Sequence, residues 1–165
     1  MSTDLERKFI DVFKENQRIV HKICRIYTNN SEDHDDLFQE ITIQLWKSYP
    51  GFKGESKFST WMYQVSLNTA MTLLKKKERY QFQQIDINMS FLKIKEETYE
   101  DDEYKLKEMY RHIYTLTDIE KALIMMYLDN KPYKEIGDIL GITEGNARVK
   151  MNRAKNNLKS KINAK

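Results

Sequence analysis

The chain has one cysteine, two prolines and five glycines in 165 residues. A lone cysteine, Cys24, excludes an internal disulfide and points to a reducing compartment. So little proline and glycine leaves few of the tight turns an all-β protein needs, and long stretches of apolar residues at helical spacing predict an all-α fold. No apolar run approaches the roughly 18 residues of a membrane helix; the longest is Ala122 to Leu128. The N-terminus carries no signal-peptide pattern, so the expected location is the cytoplasm, with no membrane insertion of this chain. No internal repeat recurs at a fixed period. Histidine is scarce, and His21, His34 and His112 fall on different predicted elements. There is no nucleotide-binding glycine loop, no metal-ligand spacing and no nucleophile–base pair, so neither catalysis, cofactor nor metal is expected. The acidic cluster Glu32 to Asp36 lacks the glycine and spaced oxygen ligands of a calcium loop, and adjacent side chains on a helix diverge.

What is present is charge, unevenly placed. The net is +3, with 12 basic against 11 acidic residues in 1–78, 3 against 7 in 79–103, and 13 against 7 in 104–165. A near-neutral head, an acidic waist and a basic tail suggest two small domains with a linker between, and 40% hydrophobic content suffices to give each a core. Leu5, Phe9, Val12, Phe13, Val20, Ile23 and Tyr27 predict a core-facing first helix, with a break near Asn16-Gln17. Thr28 to Ser31 is turn chemistry, and Ser31 or Asp33 is the expected cap of the next helix.

That next helix puts Leu37, Phe38, Ile41 and Leu45 on one face and Asp36, Gln39, Glu40, Ile43 and Lys47 on the other. An isoleucine among charged and amide groups is either a stray apolar residue on a solvated face or the centre of a docking surface. A loop follows, Phe52-Lys53-Gly54-Glu55-Ser56-Lys57-Phe58, which interleaves basic and aromatic residues around a glycine as a holder of an unstacked base would. In the helix after it only a narrow stripe of Gln64, Asn68 and Lys75, beside Trp61, is left to face outward. Those amides serve either an interface or an internal polar pocket. The basic run Lys75 to Lys77 with Arg79 reads equally as a helix C-terminus and as a phosphate contact.

Residues 80–103 lose periodicity and carry Glu96-Glu97 and Glu100 to Glu103, the marks of a linker, though Ile85, Ile87, Met89, Phe91 and Leu92 suggest that it docks somewhere. Helical spacing returns from Tyr104 to Leu116, Thr117 to Glu120 forms a capping box, and Asp129 to Pro132 breaks the helix so begun. Tyr133 to Leu140, ended by Gly141, and a long last helix capped by Thr143 make a helix-turn-helix pattern. On that last helix Ala147, Met151, Ala154 and Leu158 form the apolar stripe, leaving Gly145, Asn146, Val149, Asn152, Arg153 and Asn156 opposite. Seven basic residues against one acidic in 144–165 point to DNA.

Two ordered signatures then carry a resemblance. Asp35-Asp36-Leu37-Phe38-Gln39-Glu40, Leu45-Trp46, Phe52 to Tyr63 and Asn68-Thr69-Ala70 resemble region 2 of the extracytoplasmic-function sigma factors of the sigma-70 family. Pro132 to Lys155 resembles sigma region 4, with Ala147 and Arg148 replacing the valine and lysine common in relatives. The resemblance implies two helical domains, residues 1–79 as region 2 and 104–165 as region 4, joined by a flexible acidic linker at 80–103. It implies that Asp36, Gln39, Glu40, Ile43 and Lys47 hold the clamp helices of the largest subunit of core RNA polymerase. Lys53, Lys57, Phe58, Trp61, Gln64, Asn68 and Lys75 would meet the −10 promoter element, with Gln64 departing from a common arginine. Glu144, Asn146, Arg148 and Val149 would meet base edges of the −35 element, and Lys150, Asn152, Arg153 and Lys155 would complete that surface. Region 4 would also contact the polymerase flap. An anti-sigma factor or other regulatory protein is the expected further partner. Two alternatives use the same residues differently: a stand-alone helix-turn-helix regulator, which leaves the Asp36 to Ile43 face unexplained, and a small hydrolase built on Glu32 to Glu40.

Overall fold

The computed structural model describes residues 2–80 and 101–164, with side chains placed for 4–76 and 103–164. The linker of the sequence reading, with its acidic run and apolar residues 85–92, lies outside them, as do the side chains of Lys77 and Arg79. The described residues form seven α-helices and no strand. These are α1 (Ser2–Tyr27), α2 (Ser31–Ser48), α3 (Phe58–Tyr80), α4 (Asp101–Tyr114), α5 (Asp118–Leu128), α6 (Tyr133–Leu140) and α7 (Glu144–Asn163), with a 3-10 turn at Tyr49–Gly51. None among the described residues is long and apolar enough to cross a membrane.

Local chemistry sets most of the boundaries. Thr117 accepts from the Glu120 amide and Thr143 from the Asn146 amide, each satisfying a donor that the first helical turn leaves unpaired. Gly141 ends α6 at φ 71°, a left-handed conformation that a Cβ would strain. Gly137 is required for a different reason: a Cβ there would lie 2.7 Å from the Ile142 carbonyl oxygen, so the turn into α7 can only close over a glycine. Three expectations shift. The first helix is unbroken, and within it the Asn16 amide donates to the Val12 carbonyl at 2.8 Å. The cap of α2 is Asn30, one residue before Ser31, its side chain accepting from the Asp33 amide at 2.7 Å. Helix α4 starts at Asp101, three residues before Tyr104, the residue at which helical spacing returns in the sequence.

Helices α1, α2 and α3 pack together around Val20, Ile23, Ile41, Leu45, Met62 and Ala70, all fully buried. Helices α4 to α7 surround Ile113, Ala122, Met126, Ala147, Met151 and Ala154, buried as completely. Each large apolar side chain so removed from water contributes about 1.5–3 kcal/mol. The two groups touch: α1 packs on α4 and α5, and α3 packs on α6. Tyr27, buried in the first group, donates its hydroxyl to the Asp118 carbonyl at the start of α5 at 2.6 Å. Burial pushes that phenol's pKa well above its ordinary value, with the nearby Asp118 charge adding to it. Arg25 lies 4.0 Å over the Tyr110 ring, and Lys121 lies over both Tyr27 and Tyr114.

Candidate polymerase and nucleic-acid interfaces

Helix α2 divides as its periodicity predicts. Leu37, Ile41 and Leu45 are buried, while Asp36, Gln39 and Lys47 are exposed on the opposite side. Glu40 is half-buried, its carboxylate receiving the Gln44 amide at 3.1 Å. Ile43 is 45% exposed at the centre of this polar rim.

The loop between α2 and α3 is pinned by rings. Phe52, Phe58 and Trp61 lie 5.1–5.7 Å apart by centroid, and Tyr49 adds contacts to all three. Tyr49 also meets Phe9 of α1, which ties the loop to the first core. Tyr49 was not among the residues the sequence singled out, although its place beside Pro50 could have marked it. With the rings fixed, Lys53, Gly54, Glu55, Ser56 and Lys57 project into solvent, and Gly54 adopts φ 74° at the tip. Asn68 and Lys75 are exposed on α3, and Trp61 is half-buried against the ring cluster.

Gln64 has a different environment from the open face expected of it. Its amide nitrogen donates to the Asp138 carbonyl of α6 at 2.9 Å. One turn earlier Thr60 donates to Glu135 at 2.8 Å, and the buried Tyr63 gives its hydroxyl to Asp129. None of these partners was visible in the sequence, because each lies at least 66 residues away.

The helix-turn-helix comprises α6 and α7. Glu144, Asn146, Arg148, Val149, Asn152 and Arg153 are exposed on α7, while Lys150 and Lys155 are half-buried. Glu144 and Arg148, both expected to read bases, pair with each other at 2.9 Å. Arg148 also lies 4.7 Å over the Tyr133 ring and Lys155 lies 3.7 Å over that of Tyr127. The two tyrosines thus seat cations of α7, a role that no spacing in the sequence announced.

The three histidines lie on three different helices, as the sequence reading has them, but two of their rings meet. His21 and His34, on α1 and α2, stack with ring nitrogens 3.4 Å apart, and Phe38 stacks on His21. Burial and the neighbouring His21 lower the His34 pKa. Among the described residues no three His, Cys, Asp or Glu groups are placed to hold a metal ion, the cluster Glu32 to Asp36 included.

The family described as Sigma-70 region 2 matches residues 12–80, and that described as Sigma-70, region 4 matches residues 106–158. The chain belongs to the sigma-70 family. Its curated relatives place it among the extracytoplasmic-function sigma factors. It is 27% identical to the ECF RNA polymerase sigma-E factor of Escherichia coli (strain K12) over 158 residues, which cover 88% of this chain and 83% of that one. The corresponding sigma-E factor of Haemophilus influenzae is 25% identical over 163 residues, 88% of this chain and 84% of that one. A shorter match, 38% identical over 56 residues, reaches the sigma factor SigG of Mycobacterium tuberculosis; it covers 34% of this chain and only 15% of SigG. Among solved structures the fold matches the sigma factor RpoE in complex with the anti-sigma factor NepR from Bartonella quintana. That match has a TM-score of 0.68 and 16% identity, and it covers 96% of each chain. CnrH in complex with the cytosolic domain of CnrY matches with the same score and identity, over 96% of this chain and 90% of that one.

Proposed function

We propose that this sigma factor binds core RNA polymerase and directs promoter-specific initiation through −10 and −35 recognition. In this reading residues 1–79 are the polymerase-binding and −10 domain, 80–103 the linker, and 104–165 the −35 domain. The observation that carries it is the α2 face: Ile43, 45% exposed, sits amid Asp36, Gln39, Glu40 and Lys47 on the chain that also bears the basic α7. An apolar centre with a polar rim is the anatomy of a protein interface, and the reading as a stand-alone DNA-binding regulator leaves it unexplained. The clamp helices of polymerase are its partner, and the flap is the partner of the −35 domain.

The Lys53 to Lys57 loop, held open by its ring cluster, takes a base from the −10 element, with Phe58 and Trp61 behind it. Asn68 hydrogen-bonds a base edge, and Gln64 joins it once free of Asp138. Lys75 meets phosphate. On α7 Asn146, Val149 and the Glu144–Arg148 pair face the −35 bases, while Lys150, Asn152, Arg153 and Lys155 fix the register. The chemistry of RNA synthesis belongs to polymerase, so the protein needs neither a catalytic group nor a cofactor, and it acts in the cytoplasm. The solved relatives were captured with the anti-sigma factor NepR and with the cytosolic domain of CnrY. A protein of that kind holds this chain when idle.

Binding to core polymerase is the test. Glu40→Lys and Ile43→Ala are expected to weaken it at least about tenfold, the scale of a central interface residue. Both variants should keep the DNA affinity of the α6–α7 unit. Equal polymerase binding by wild type and both variants would remove this face from the interface.

A further inference from the structure

Two cations of α7 are seated on tyrosine rings, and they are held in different ways. Lys155 lies 3.7 Å over the ring of Tyr127, near the end of α5, and has no carboxylate partner among the described residues. Arg148 is held from two sides. Its guanidinium lies 4.7 Å over the Tyr133 ring and gives a hydrogen bond to Glu144 at 2.9 Å. Both holders are themselves fixed. Tyr133 is the first residue of α6, follows Pro132 with its ring-set φ of −67°, and packs a half-buried ring against the core. Glu144 is the first residue of α7, where the helix dipole favours a carboxylate, and it stands one turn ahead of Arg148, the better order for such a pair. The Arg148 side chain is still 57% exposed, so it is seated without being covered.

What each cation can meet follows from these partners. A guanidinium has five N–H donors, so the Glu144 bond leaves donors free for a further, planar pair of acceptors. A phosphate brought to Arg148 would lie beside the Glu144 carboxylate and be repelled by it. A base edge carries no net charge and meets no such penalty. In the major groove guanine presents two acceptors, O6 and N7, that a guanidinium fork engages together. Arg148 is the fifth residue of α7, within the N-terminal turns that enter the groove in a helix-turn-helix. Lys155, a point charge with no carboxylate beside it, suits a phosphate instead.

We propose that Tyr133 and Glu144 are positioning residues for −35 recognition, which together hold the Arg148 guanidinium ready to read a guanine. This rests on the reading of α7 as the −35 helix. The seat removes rotamer freedom before DNA arrives, so less is lost on binding, and the neighbouring carboxylate turns the fork away from the backbone.

Selection of bound sequences from a random duplex pool by the full chain tests it. Sequencing gives the base preference at each position, and fluorescence anisotropy gives the affinity for selected and unselected duplexes. Arg148→Ala is expected to abolish a guanine preference at one position and leave the others unchanged. Tyr133→Leu, which keeps an apolar side chain on the core, should lower that same preference about two- to fivefold, the scale of an exposed cation–π contact, and Tyr133→Phe, which keeps the ring, should leave it intact. Arg148→Ala combined with Tyr133→Leu should lose no more preference there than Arg148→Ala alone, because the tyrosine acts through the arginine. Tyr127→Leu, beneath Lys155, is the contrast, with affinity falling for all sequences alike. If Tyr133→Leu does not fold, Glu144→Gln takes its place: the guanine preference should fall while affinity for unselected duplex rises. An unchanged guanine preference in these variants, an equal loss at every position, or a loss in Tyr133→Phe overturns the proposal. If Arg148→Ala alters no base preference, the reading of Arg148 as a base contact falls and the positioning role with it; a change with Arg148→Ala but none with Tyr133→Leu rejects the positioning role alone. The selection contains no polymerase, so the polymerase-binding reading stands or falls separately.

Discussion

Cys24 illustrates how burial decides the role of a single residue. It is fully buried in α1, and burial, with the charge of Asp35 adding to it, pushes its thiol up to about 12 from an ordinary value near 9. The thiolate is the reactive form, so the raised pKa, together with exclusion of reagent from the core, makes the native thiol far less reactive than a free one. We expect a thiol-specific reagent to label the folded protein at that reduced rate and to reach the free-cysteine rate only in denaturant. Rapid native labelling would mean that α1 opens far more readily than its packing implies. The side chains of the proposed interfaces are of the opposite kind: Ile43, an apolar side chain left in water, and Gln64, an amide that already has a partner.

At the scale of helices, the turn between α6 and α7 is the most tightly specified element. Gly137→Ala would force a Cβ to within 2.7 Å of the Ile142 carbonyl, which the backbone can relieve only by moving α7. A loss of about 1–3 kcal/mol is expected, as for other overpacked sites. Duplex binding by the proposed −35 helix should fall with it, while polymerase affinity, which we assign to α2, should be kept. Thermal melting and the two binding assays check the separation. Much of this turn was legible beforehand: Gly141 and Thr143, like Thr117 at the start of α5, are local signals that act on amides and carbonyls within a few residues. Asn30 won the cap of α2 over Ser31 and Asp33 because its amide side chain satisfies the Asp33 N–H one residue earlier. The break expected near Asn16-Gln17 failed because the Asn16 side chain bonds back to Val12 and the helix runs on past it. What no local signal could supply was the pairing of Thr60, Tyr63 and Gln64 with Glu135, Asp129 and Asp138, or of His21 with His34. Those depend on which helices meet, and helix packing is set by faces far apart in the chain.

For the whole molecule the question is what holds the two helical groups together and under which conditions. Burial alone would raise the Glu135 pKa, but hydrogen bonds from Thr60 and Lys131, with the charges of Lys131 and Lys57, outweigh it and leave the carboxyl below its ordinary value. A carboxyl whose docked pKa is depressed adds stability that is complete above its undocked value, about 4.3, and is lost as pH falls through the docked value. The radius of gyration should therefore be flat from pH 7 to 5 and grow below about pH 4. Glu135→Gln should remove that step, and an unchanged step in the variant would place the acid sensitivity elsewhere. Joined to the contacts of α1 with α4 and α5, these polar clasps hold the two helical groups together and leave Ile43 exposed.

The most direct measurement of the central claim is run-off transcription by sigma-free bacterial core polymerase on a library of random promoter regions, with and without this protein. Promoter direction by this chain predicts protein-dependent transcripts that start downstream of a shared pair of sequence motifs at fixed spacing, lost with Glu40→Lys. Absence of such transcripts from a protein that still binds DNA would contradict it and leave a regulator that acts without replacing another sigma factor.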